Sequence, residues 1–184
     1  MSGTLVLIVG PSGAGKDTLI GGAMQALGGV GRFVFPRRII TRPEEAGGEP
    51  HIAQTLAGFE EAERAGAFAL SWRAHDLAYG IPGTIRDDLH AGRHVVANVS
   101  RGVLDAARDR FARVQIVAVT VPAAVLAQRL AARGRESAQD IARRLERATA
   151  FDLSGSDVHA FTNAGERAAS IAAFTTLLEN IVID

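Results

Sequence analysis

The feature that most restricts how this chain can fold is a short stretch near its start, Gly10-Pro-Ser-Gly-Ala-Gly15-Lys16. It follows an apolar run, Leu5–Val9, and precedes a segment from Asp17 to about Leu27 that reads as a helix stopped by Gly28 and Gly29. A five-residue apolar run ending in glycine is the signature of a parallel strand buried on both faces. The glycines let the backbone curl so that its N–H groups point inward. The helix start adds partial positive charge, and a lysine at this spacing reaches the β- and γ-phosphates of a nucleotide. A plain glycine-rich turn would require neither the lysine nor the strand–loop–helix frame. The expectation is a phosphate-gripping loop made by Gly10, Pro11, Ser12, Gly13, Ala14, Gly15, Lys16, Asp17 and Thr18.

The remaining chain alternates in the same way. Strands are expected at Val34–Ile40 (interrupted by Pro36), Phe68–Trp72, Ala78–Ile81, His94–Val99, Val114–Val121 and Val158–Phe161. Helices are expected at Leu56–Ala65, Ile85–His90, Val103–Phe111, Pro122 to about Ala132, Ala138–Phe151 and Glu166–Ile181, with a Gly-, Pro- and Glu-rich loop over Arg42–Pro50. Alternation of this kind predicts an α/β parallel sheet. No repeat, low-complexity tract or linker divides the chain, so its 184 residues are read as one domain spanning 1–184.

Composition matters in two places. The chain carries 20 basic residues, 19 of them Arg, and Lys16 is the one lysine. Ammonium is a compact point charge on a flexible stem and does not substitute freely for guanidinium, so its placement in the loop is informative. Net charge is zero and cysteine is absent. Those values give no general attraction to nucleic acid or to an anionic membrane, and they exclude disulfides and thiolate chemistry. The apolar run at Thr4–Val9 is too short for a signal peptide or a membrane span, and a cytoplasmic protein is expected.

The loop departs from the general pattern at one position. Where Ser or Thr usually presents a hydroxyl to Mg²⁺, this chain has Asp17, with Thr18 next. A carboxylate is a good Mg²⁺ ligand. It is also favourable in the first turn of any helix, and both readings stand. The strand His94–Val99 carries no Asp, so Asp17 is the candidate metal ligand.

Several further segments, taken in order, resemble guanylate kinases: GPSGAGKDTL at Gly10–Leu19, Ile40-Thr41-Arg42-Pro43, Tyr79-Gly80, Arg133-Gly134 with Ile141-Ala-Arg-Arg-Leu145, and Thr162-Asn163. The guanine-reading parts do not match. A Glu is missing before Trp72 in Leu70-Ser71-Trp72, and Ala97-Asn-Val-Ser-Arg101-Gly102 lacks an acidic pair. A buried guanine would leave N–H donors unpaired at about 1–3 kcal/mol each. The series GPSGAGKD, ITR, HIA, ALSW, YG and RGRE is more similar to the ribose 1,5-bisphosphate phosphokinases of phosphonate catabolism, a guanylate-kinase-like family.

That resemblance implies a P-loop NTPase fold of the nucleoside-monophosphate-kinase type. Its sheet core would carry helices on both faces, an acceptor-binding part at about 35–82 and a lid at about 133–140. It implies phosphorylation of α-D-ribose 1,5-bisphosphate by ATP with Mg²⁺, giving 5-phospho-α-D-ribose 1-diphosphate (PRPP). The catalytic candidates are Lys16, Arg133, Arg135 and Arg144. Arg42, His51, Tyr79 and Gly80 are candidates for the acceptor and Asn163 for the adenine side, with Arg37 and Arg38 as possible helpers.

Each of these has an ordinary alternative. The arginines of 129–147 can form a solvated helix face with Glu136, Asp140 and Glu146; that is the preferred reading for Arg147, while Arg129 and Arg143 are evenly balanced. His51 can be a loop histidine, Trp72 a core residue and Asn163 a turn cap. His75, His90, His94 and His159 show no metal-ligand spacing and read as structural or exposed. Two other functions remain open on sequence. One is a nucleoside monophosphate kinase, guanylate kinase above all. The other is a non-catalytic guanylate-kinase-like binding domain, which could dispense with the loop that is whole here.

Overall fold

The structure is a computed structural model that describes residues 2–44, 49–132 and 153–183. Strands β1 (Leu5–Val9), β2 (Phe33–Val34), β7 (His94–Asn98), β8 (Val114–Thr120) and β9 (Val158–Thr162) form one parallel sheet in the order β2-β7-β1-β8-β9. Every residue of β1 is fully buried, because alternate side chains feed two different cores. Leu5, Leu7 and Val9 face helices α3 (Ile85–His90) and α4 (Leu104–Arg110) through Ile85, Leu89, Leu104 and Ala107. Val6 and Ile8 face α1 (Lys16–Leu27) and the last helix, α6 (Arg167–Asn180), through Leu19, Ala23, Phe174 and Leu178.

Strands β3 (Ile39–Ile40), β4 (Ile52–Ala53), β5 (Phe68–Ala74) and β6 (Leu77–Pro82) form a second sheet in the order β4-β3-β6-β5. Here β3 pairs β4 in parallel, but β6 pairs both β3 and β5 antiparallel. This mixed sheet stands apart from the parallel sheet core that the alternation predicts. The expected strand at Val34–Ile40 is in fact β2 and β3, which belong to different sheets. Pro36, which has no N–H to offer a ladder, lies between them. The β5–β6 hairpin turns at His75 and Asp76, both with positive φ (51° and 59°), the conformation required by a two-residue turn that follows the twist of its strands. Helix α2 (Leu56–Arg64), capped by the Thr55 hydroxyl accepting from Gly58 N–H at 3.2 Å, covers a small core of Phe59, Phe68 and Ala78. Helix α5 (Ala123–Ala132) follows β8.

The expected helix at Ala138–Phe151, the lid at 133–140 and Arg133, Arg135, Arg143, Arg144 and Arg147 lie outside the described residues. Among the described residues no helix is long and apolar enough to cross a membrane.

Candidate active site

The carboxyl ends of β1 and β7 lie side by side, with Ile8 paired to Asn98. In an open α/β sheet that edge is where ligands bind. Backbone space at the end of β1 dictates the first glycine: a Cβ on Gly10 would sit 2.4 Å from the Val119 carbonyl oxygen of β8. Gly15 caps α1 in the left-handed region (φ 85°), a conformation that costs a side-chain-bearing residue energy. Within the loop, Ala14 N–H donates to the Pro11 carbonyl at 3.2 Å.

Lys16 folds back over the loop. Its Nζ donates to the carbonyls of Gly10 (2.7 Å) and Pro11 (3.0 Å). Burial is the main influence on its ammonium and lowers its pKa. The Asp17 carboxylate opposes that shift, Arg38 adds to it and Glu49 opposes it. A desolvated cation in a glycine-rich loop at a helix start is suited to an anionic ligand.

A cleft of about 410 Å³ opens from this loop toward the second sheet, with Arg38, Arg42, Glu49, Trp72 and Tyr79 on its far wall. Register explains that wall. Trp72 and Tyr79 are cross-strand partners on β5 and β6, and their rings stack at 5.3 Å with 4° between planes. The Arg38 guanidinium lies 5.5 Å from the Tyr79 ring centre. Trp72, expected in the core, therefore packs against the core and lines the cleft as well. Gly80 does not line it: a Cβ there would stand 2.8 Å from the Phe68 ring.

Two other candidates, His51 and Asn163, engage main-chain carbonyls. His51 is buried, 3% exposed, and its ring bridges the main chain at Arg42 and Glu49, between β3 and β4. Nε2 donates to the Arg42 carbonyl at 3.0 Å, and Nδ1 lies 3.0 Å from the Glu49 carbonyl. It holds Arg42 and Glu49 in place and does not line the cleft. Asn163, on the loop after β9, is also buried, and its Nδ2 donates to the Ala14 carbonyl at 2.7 Å. Its amide group braces the phosphate loop from behind.

Asp17 faces the cleft and accepts a 2.8 Å hydrogen bond from Asn98 Nδ2. Asn98 also receives, on its main-chain oxygen, a 3.4 Å hydrogen bond from Arg38. Sequence reasoning missed Asn98 as a site residue. The signal was its place at the carboxyl end of the strand expected beside β1. Glu49 was missed too, because it sits in a loop with no periodicity. Among the described residues no cluster of three or more His, Asp or Glu side chains gathers, which leaves no all-protein metal cage. Mg²⁺ shared with nucleotide phosphates takes only one or two carboxylates. Asp17, with Thr18 beside it on the same cleft wall, fits that demand.

The parallel sheet, the loop at its edge and the basic cleft define a P-loop kinase. The fold agrees with a guanylate kinase from Anaplasma phagocytophilum (TM-score 0.66, 13% identity, covering 100% of this chain and 88% of that one) and less closely with a sugar kinase from Janibacter sp. HTCC2649 (TM-score 0.51, 17% identity, 99% of each). No protein-family model matches the chain. Sequence relatives are more specific. Ribose 1,5-bisphosphate phosphokinase PhnN of Brucella melitensis is 47% identical over 181 residues, 98% of this chain and 94% of the relative. The protein of that name from Rhodopseudomonas palustris is 51% identical over 148 residues, 80% of this chain and 76% of the relative. A bifunctional ribose 1,5-bisphosphokinase-thymidine phosphorylase of Azorhizobium caulinodans is 53% identical over 146 residues, 79% of this chain but only 21% of that longer protein. The chain belongs to the ribose 1,5-bisphosphate phosphokinase family.

Proposed function

We propose that this chain transfers the γ-phosphoryl group of ATP to the 1-phosphate of α-D-ribose 1,5-bisphosphate, giving ADP and 5-phospho-α-D-ribose 1-diphosphate. The observation that carries the reading is likeness along nearly the whole length of the Brucella protein of that name. A 1-phosphate oxygen attacks the γ-phosphorus. The bond from that phosphorus to the β–γ bridging oxygen breaks, and its electron pair leaves with ADP. The nucleophile is already anionic, so no strong base is required, and catalysis reduces to positioning and charge neutralisation. The loop amides and Lys16 grip the donor phosphates. Arg42 and Arg38 hold the acceptor, and the Trp72–Tyr79 stack walls the sugar. Arg133, Arg135 and Arg144 are the further cations for the transferring group. Asp17 and Thr18 are the residues that would hold Mg²⁺, which would supply charge neutralisation at the donor phosphates.

A guanylate kinase reading has the fold in its favour but not the site. Ser71 stands where a guanine-reading carboxylate belongs, directly before Trp72. Phosphorus NMR of the products from ATP with ribose 1,5-bisphosphate, and in parallel with GMP, tests the choice. Sugar diphosphate should form, with little or no GDP. Robust GDP formation without sugar turnover would overturn the proposal.

A further inference from the structure

The cleft contains an acidic side chain that phosphate binding does not explain. The Glu49 Oε1 atom accepts from Arg38 Nη2 at 2.7 Å, and Arg42 Nη2 lies 3.5 Å from the same oxygen. Two guanidinium groups thus converge on one anionic oxygen at the wall facing the phosphate loop. The fit is incomplete. Arg42 Nε is buried and has no hydrogen-bond partner among the described residues. A buried donor without a partner is costly, and the Glu49 carboxylate lies near Arg42 Nη2 but leaves Nε unserved. A phosphate, with three terminal oxygens, can meet such a fork bidentately and still reach a second arginine. The surroundings hold the fork ready: His51 bridges the carbonyls of Arg42 and Glu49, and Asn98 accepts from Arg38.

We infer that Glu49 is a place-holder for an acceptor phosphate and thereby a specificity-determining residue. Its carboxylate occupies the arginine fork until a dianionic phosphate displaces it. The inference rests on the acceptor-site reading above. Its consequence is selectivity: a ligand must bring enough charge and enough oxygens to outcompete a tethered carboxylate, so monoanionic or unphosphorylated sugars are rejected. With only 13% of the Arg38 side chain and 19% of the Glu49 side chain exposed, the pair is screened less than one on the open surface.

The test is Glu49→Gln, which keeps the shape and removes the competing charge. At saturating ATP, KM for ribose 1,5-bisphosphate should fall about fivefold, the worth of one partly exposed ion pair, and the effect should fall on KM rather than on kcat. A raised KM would mean that Glu49 supports the arginines or touches the sugar, and an unchanged KM would mean that it does not compete; either overturns the inference. A second readout does not depend on the sugar being right. With the donor site filled by a non-hydrolysable ATP analogue, calorimetry should show inorganic phosphate binding more tightly to Glu49→Gln than to wild type. Equal or weaker binding overturns the inference even if the wild type turns over some other acceptor. Absence of wild-type sugar turnover would instead count against the proposed function alone. Should Glu49→Gln fold poorly, Glu49→Asp, which draws the charge back by one methylene, must shift both readouts in the same direction.

Discussion

Lys16 and Asp17 are neighbours in sequence with different duties. The ammonium is already bound to two loop carbonyls, so a phosphate has only to draw it a short way. Asp17 has two possible duties: it lies in the first turn of α1, where a carboxylate is worth about 0.3–1 kcal/mol to the helix, and it faces the cleft. Asp17→Asn separates them, because the amide keeps the size and an oxygen but loses the charge. If the carboxylate holds Mg²⁺, the variant needs more Mg²⁺ for half-maximal rate and loses kcat, while its Tm stays within the few degrees that a helix-start charge explains. Superimposable Mg²⁺ titrations of variant and wild type would leave Asp17 with the helix alone and pass the metal to Thr18.

At the scale of elements, the packing of α1 reverses a propensity argument. Gly21 and Gly22 are adjacent in one helix, and alanine should stabilise either by about 1 kcal/mol. A Cβ on Gly21 would meet nothing within 4 Å, but one on Gly22 would stand 2.4–2.8 Å from the Ile171 side chain of α6. Gly21→Ala should therefore raise Tm by about 2–4 °C. Gly22→Ala should lower it, overpacking costing about 1–3 kcal/mol. Thermal melts giving the same sign for both would show that α1 and α6 yield freely. The foot of the β1–β7 pair supplies a pH dependence. Thr4 N–H donates to His94 Nδ1 at 3.1 Å, which requires the neutral ring. Burial chiefly, then Arg32 and Arg113, hold the His94 pKa below the ordinary value of about 6.5. The unfolded chain then binds the proton more readily than the folded one. This contribution is complete above about pH 6.5 and is lost as pH falls through that value toward the lower folded pKa. His94→Gln, which cannot titrate, should flatten the slope of Tm between about pH 5 and 7 relative to wild type. Parallel slopes would assign that pH dependence to other groups.

For the whole molecule, the two sheets differ in what anchors them. The parallel sheet is clamped between two extensive cores, whereas the second sheet reaches the larger core through Ala69, Leu70 and Ile81 of β5 and β6, and its β3 and β4 are two residues each. Local opening is easiest where few apolar contacts hold the backbone. Hydrogen exchange should therefore be fastest, among the strand amides, at β3 and β4 and slowest at β1, β7 and β8; equal protection would make the sheets one cooperative unit. The same contrast explains what could be read in advance. The parallel sheet was legible because burial on both faces writes unbroken apolar runs, as in Leu5–Val9 and Ile116–Val119. The second sheet was not, because two-residue strands such as Ile52–Ala53 carry no period, and their partners are set by tertiary pairing. In the site, the loop was legible since its chemistry is contiguous. Asn98, Glu49 and the place of Trp72 beside Tyr79 were not, since those positions exist only once distant segments meet. His51 and Asn163 were singled out, but the structure turns both side chains toward the main chain of the loops they support.

The Asp17–Asn98 hydrogen bond joins residues 81 positions apart. P-loop enzymes in general place a hydroxyl on the loop and a carboxylate on the neighbouring strand; here the carboxylate is on the loop and the strand offers a neutral amide. One negative charge is kept, but it has changed sides. A single substitution cannot cross between these arrangements without passing through a site with two adjacent carboxylates or with none. If that charge serves the metal, the two codons should be epistatic, each position's tolerance of change depending on the other's occupant.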